Sequence, residues 1–75
     1  MFIINDDHDV MIDTDAMTSI FKDGENVSCE LFTGDVIILG EYENEKTVDG
    51  VFDMIISNIN AEKVVFAMPK GDTKW

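Results

Sequence analysis

The side chains best equipped for chemistry crowd into one short stretch. Residues 5–15, NDDHDVMIDTD, hold five aspartates and the chain's one histidine. Such groups could chelate a cation or trade protons with a substrate, and each use makes demands on spacing. A calcium loop of the helix–loop–helix type needs oxygen ligands at alternate positions, a glycine at its sharp turn and a closing glutamate. Counted from Asp7 the third ligand falls on Met11, and counted from Asp13 it falls on Met17; neither register supplies the glycine or the glutamate. A looser site on Asp7, His8 and Asp9 would need neighbouring residues to aim at one ion, whereas successive side chains in a strand or turn point apart. The stretch is expected to be a solvated turn with His8 as a bystander, and no metal or cofactor is expected.

Acid–base catalysis would require a desolvated carboxyl with a raised pKa, and nearly every acid here falls in a turn or on a polar face. The single cysteine, Cys29, has no cysteine partner and sits in an alternating apolar run, as a small buried thiol would. The sequence contains no GxSxG, HExxH, P-loop or GxGxxG pattern, so no catalytic residues are expected and the chain reads as a non-enzyme.

The elements that position these residues follow from periodicity. MFII and VMI are short apolar runs joined by an Asn/Asp-rich connection, which predicts a hairpin. AMTSIF and VSCELF read as two further strands, with Asp23-Gly24 and Thr33-Gly34 supplying turn residues that tolerate positive φ. Val36, Ile37, Ile38 and Leu39 are apolar without interruption, which predicts a strand covered on both faces or central in its sheet. The period then changes: Val48, Val51, Phe52, Ile55, Ile56 and Ile59 recur as one helical face, with Glu45, Lys46, Asp49, Asp53 and Asn58 on the other. Asn44 suits the N-cap and Glu45 the first turn. Gly50, at a cost of about 1 kcal/mol relative to alanine, is expected to let the helix approach the sheet closely. The helix should end near Asn60, and KVVFAMP gives a last strand stopped by Pro69.

The predicted fold class is α+β, a small antiparallel sheet of four to six strands with one amphipathic helix packed on one face, in the order β-β-β-β-β-α-β. One domain is expected over residues 1–69, with a flexible tail over 70–75. The face of the sheet away from the helix must be solvated or paired, and Phe21, Phe32, Met17 and Met68 are its candidate occupants.

Charge narrows the partners. Sixteen Asp and Glu stand against five Lys and no Arg, for a net charge of −11 on 75 residues and a pI near 4.1. The 45% hydrophobic share is enough for a core, though a chain this short buries only about 60% of its unfolded surface. So negative a surface repels nucleic acid, whose binding rests on Lys and Arg; it attracts basic partners, among them proteins whose own grooves are built for nucleic acid. The first residues lack the basic and long apolar character of a leader, and no apolar run approaches the roughly 18 residues of a membrane span. A soluble cytoplasmic protein with no membrane partner is expected. In the expected topology Asp13 and Asp15 lie with Glu41, Glu43 and Glu45 along one edge, continued by Asp49 and Asp53 on the helix. Such a row of carboxylates could imitate the phosphate line of a duplex; the plain alternative is a solubilising surface.

The span from AMTSIF to VVFAMP resembles small acidic proteins of unassigned role from phages and prophages of Firmicutes. The residues that carry the likeness are the VIILGEY strand, the YENEK helix entry, the VFDMII helix face and the closing VVFAMP. By type the chain is similar to phage-encoded inhibitors of host defence, including DNA-mimicking anti-CRISPR and anti-restriction proteins. The resemblance implies a non-enzymatic inhibitor in the host cytoplasm, binding a basic nucleic-acid groove of a host defence protein, a CRISPR effector first among candidates. Asp13, Asp15, Glu41, Glu43, Glu45, Asp49 and Asp53 would then serve as phosphate surrogates. A reading from another class is a structural or regulatory homo-oligomer, such as a homodimer, that works through an apolar sheet face, with acidity serving only solubility.

Overall fold

The computed structural model describes residues 1–70. Its strands and helix follow in order as β1 (Phe2–Ile4), β2 (Met11–Asp13), β3 (Met17–Asp23), β4 (Asn26–Leu31), β5 (Val36–Glu41), α1 (Glu45–Asn60) and β6 (Val65–Ala67), with one 3-10 turn at Thr14–Ala16. The α+β class and the element order are those the periodicity predicts. The strands form two three-stranded sheets in place of one, β2-β1-β6 and β3-β4-β5. The tail expected over 70–75 falls, Lys70 apart, outside the described residues.

β1 and β2 make the expected hairpin, with Ile3 opposite Ile12. β6 lies on the other side of β1 and runs parallel to it, Ile3 opposite Phe66. This corrects the all-antiparallel expectation: parallel neighbours need a long connection, and here residues 5–64 provide it. The second sheet is an antiparallel meander. β3 turns into β4 at Gly24, whose φ of +62° only glycine adopts freely,, and β4 pairs with β5 through a register shift at Leu39, which lies between the partnered residues Ile38 and Gly40.

β5 is an edge strand, not a central one. The centre is β4, where Val27, Ser28 and Cys29 are all buried, while Val36 and Ile38 remain 58% and 46% exposed. An apolar run reads as doubly covered, but small residues such as Ser28 and Cys29 fit the crowded centre, and β5 is left outside. The anticipated free face is corrected as well. Met17 and Met68 belong to the core, Phe21 is half-buried and Phe32 is exposed in the turn after β4.

α1 begins where the sequence places it. The Asn44 side-chain oxygen accepts from Thr47 N–H at 2.9 Å and from Thr47 Oγ1 at 3.1 Å, filling one of the helix's free donors. Val48, Val51 and Ile55 are buried against the sheets with Phe52 half-buried, whereas Ile56 and Ile59 stay about half exposed. Gly50 is exposed, and a Cβ there would meet nothing within 4 Å, so it provides no close approach. One core results, built from Ile3 and Phe66 of the first sheet, Val27, Cys29 and Leu39 of the second, the helix face, Met17, Met68 and Tyr42.

Candidate functional site

The aspartate-rich turn is organised by Asn5. Its side-chain oxygen accepts from the N–H groups of Asp9 and Val10, each at 3.0 Å, and its Nδ2 donates to Asp9 Oδ1 at 2.8 Å. These bonds let the chain reverse in few residues and leave His8 with a φ of +61°. His8 has a structural contact: its Nε2 lies 3.2 Å from the Met68 carbonyl oxygen, tying the turn to the end of β6. Among the described residues no three His, Cys, Asp or Glu side chains gather as a metal ion would require.

Asp6 joins the two sheets. Its N–H donates to the Leu39 carbonyl at 2.9 Å, and its Oδ2 accepts from the Glu41 N–H at 3.0 Å. The register shift at Leu39 is what frees that carbonyl from β4. Asp6 thus treats the far half of β5 as a neighbouring strand would, its carboxylate standing in for a main-chain carbonyl.

This contact fixes which acids share a surface. Asp23 lies opposite Asn26, and Asn26 lies opposite Glu41 on its other side; Tyr42 N–H donates to the Glu25 carbonyl at 2.9 Å. One end of the molecule therefore collects Asp6, Asp7 and Asp9 from the first turn, Asp23 and Glu25 from the second, and Glu41 and Glu43 from the end of β5. Asp13 and Asp15 are elsewhere. Asp13 pairs with Phe2, at the opposite end of β1 from the turn, and its Oδ1 accepts from Asp15 N–H at 2.9 Å. Their neighbours are the turn at 32–35, through the Phe32 N–H bond to the Ala16 carbonyl at 3.1 Å. The expected grouping of Asp13 and Asp15 with Glu41, Glu43 and Glu45 is corrected accordingly. The first half of the aspartate stretch reaches the acidic end, because a hairpin sends its turn and its strand ends in opposite directions.

The helix acids have a cation among them. Lys22 Nζ is 2.9 Å from Asp49 Oδ1, the one ion pair among the described residues, and sits 5.6 Å from the centre of the Phe52 ring. The hydrogen bond and charge of Asp49, helped by Asp53 and Glu45, push the Lys22 pKa up. Glu45, Asp49 and Asp53 follow at four-residue intervals along the helix, and Asp49 is ion-paired with Lys22. The acids at the sheet end have no such partner among the described residues.

The acids are solvent-facing in turns and at strand ends, Cys29 is fully buried with burial pushing its thiol pKa up, and Tyr42 is 5% exposed with its hydroxyl donating to the Pro69 carbonyl at 2.9 Å. Burial, and then the charge of Asp6, push the Tyr42 pKa well above its ordinary value. No family model, curated protein or solved structure matches the chain. No described helix is long and apolar enough to cross a membrane.

The sequence reading missed Asp6, Asp7, Asp9, Asp23 and Glu25 as members of one surface with Glu41 and Glu43. The two turns were visible, and only the pairing of β4 with β5 and the Asp6 bridge bring them to the same end.

Proposed function

We propose that this protein is a non-enzymatic binding protein whose acidic end occupies a basic groove of another protein, one built to hold nucleic acid. The observation that carries the reading is the gathering of Asp6, Asp7, Asp9, Asp23, Glu25, Glu41 and Glu43 at one end by strand pairing and the Asp6 bridge, with no cation ion-paired to them among the described residues. Carboxylates held on turns and strand ends present fixed negative charge to lysine and arginine side chains. An inhibitor of a host defence protein in the cytoplasm, such as a CRISPR effector, fits the net charge of −11.

The test is capture of a purified basic nucleic-acid enzyme at low and high salt, with DNA as competitor. Binding should fall steeply with salt and with added DNA, and Asp23→Asn combined with Glu25→Gln and Glu43→Gln should weaken it about tenfold or more. Capture indifferent to salt and to these changes would remove the proposal.

One observation favours a second reading. The outward face of the first sheet carries Phe2 beside Val65 and Ile4 beside Ala67 and Met11, with Asp13 its one acid. Phe2, Val65 and Met11 are 38%, 46% and 59% exposed, an apolar patch of the kind that marks protein contacts. If this face closes a homo-oligomer, light scattering will give a concentration-independent dimer mass, and Phe2→Lys will return it to the monomer.

A further inference from the structure

We infer that the outer edge of β5 is the docking site for an extended segment of a partner protein, apolar at its centre and basic at both ends, which joins the second sheet as an added strand. β5 ends its sheet, with no strand beyond it among the described residues. Asp6 occupies only the far half of that edge, at Leu39 and Glu41, leaving Val36–Ile38 open. Leu31 N–H donates to the Asp35 carbonyl at 2.9 Å, and Val36 follows opposite Glu30. Antiparallel ladders alternate bonded and non-bonded pairs, so the N–H and C=O of Val36 face away from β4, where an incoming strand would meet them.

The side chains agree. Phe21, Ser28 and Ile38 form one cross-strand row on the face away from the helix, and Ser19, Glu30 and Val36 form the next. Both rows end at β5 with Ile38 and Val36 half exposed or more, where apolar residues of an added strand would continue them. The opposite edge, β3, is guarded by Lys22, Asp23 and a register shift between Met17 and Ser19, devices that discourage strand addition. Between Val36 and Ile38 there is none.

Charge selects the occupant. The open stretch is bounded by Glu30 and Asp35 at one end and by Asp6 and Glu41 at the other, and neither β4 nor β5 contains a lysine. A second copy pairing edge to edge about Ile37 would set Asp35 of one molecule beside the Leu39–Glu41 end of the other, acid against acid at both ends. A segment with lysine or arginine on either side of an apolar centre places cations there instead. This edge adjoins the acidic end, with which it shares Asp6 and Glu41, and the inference goes beyond the function proposed above.

The experiment follows backbone NMR shifts and amide exchange of the isotope-labelled protein with a synthetic peptide of alternating valine and threonine carrying paired lysines at both ends. Its counterpart with glutamates in place of the lysines is run beside it. The lysine-ended peptide should slow exchange of the Val36 and Ile38 amides and shift their signals, and the glutamate-ended one should not. Val36→Pro, which removes an outward N–H, should lower affinity about tenfold, the worth of one to two ladder bonds; Ile38→Lys, an exposed change that repels the lysine ends, should do likewise. Equal effects of the two peptides, or protection elsewhere with none at 36–38, would overturn the inference. So would slowed exchange of these amides on concentrating the protein alone, which would assign the edge to a second copy. The readout is local to Val36 and Ile38, so it stands whether or not the acidic end captures a basic groove.

Discussion

Tyr42 links the end of β5 to the segment after the last strand. Its ring lies over Gly40, where a Cβ would come within 2.5–2.8 Å of the phenol, and its hydroxyl reaches Pro69 beyond the last strand. Gly40→Ala must displace a ring that is buried and hydrogen-bonded, and is expected to cost about 1–3 kcal/mol in chemical denaturation. Tyr42→Phe keeps the ring and loses one hydrogen bond, a cost of about 1 kcal/mol. The phenol also sets an alkaline limit. Its folded pKa is raised above the ordinary 10.0 by burial first and by Asp6 second, so the folded protein keeps a proton that the unfolded chain releases. That stabilisation is complete below pH about 10 and is lost as pH rises toward the folded value. Denaturant midpoints measured across this range should fall for the native chain and fall less for Tyr42→Phe. At this scale the sequence was partly legible. Cys29 was recognisable as a buried thiol from its alternating neighbours, whereas the place of Gly40 depends on a ring folding back two residues later, and that of His8 on a strand sixty residues away.

Helix, hairpins and turns were readable because their signals are local. Asn44, the Val48–Ile55 face and the Gly24 turn each specify their element within a few residues. Two helix changes test that locality in opposite directions. Asn44→Ala removes the cap of Thr47 and should lower stability by about 1 kcal/mol. Gly50→Ala should raise it by about 0.5–1 kcal/mol, since the helix gains propensity and a methyl group there meets open space,. Thermal or urea unfolding reads both. What the sequence left open was the pairing of strands with partners far along the chain. The division into two sheets, the parallel β6 and the edge position of β5 are set by which strands find each other, and the composition of a strand does not record its neighbours. The candidate acids suffered from the same gap: Glu41 and Glu43 were placed correctly at a strand end, and Asp13 and Asp15 were assigned to it only through an assumed sheet order.

For the molecule as a whole, charge opposes compactness. A net charge of −11 is spread over a body of 31 × 27 × 21 Å, while the screening length is about 30 Å at 10 mM salt and about 8 Å at 0.15 M. Repulsion therefore spans the molecule in dilute buffer and is largely removed at physiological salt. The melting temperature should rise by a few degrees between these conditions, the reverse of the salt effect expected on capture of a basic partner. The position of β1 between β2 and β6 has a further consequence, one of timing. During synthesis the first hairpin emerges early, but Ile3 has no Phe66 beside it until the segment after α1 has been made. Domains whose contacts span the chain fold slowly, and a growing chain is exposed to misassembly while it waits. Here β1 is made well before the strand that completes its sheet, so its pairing waits on β6.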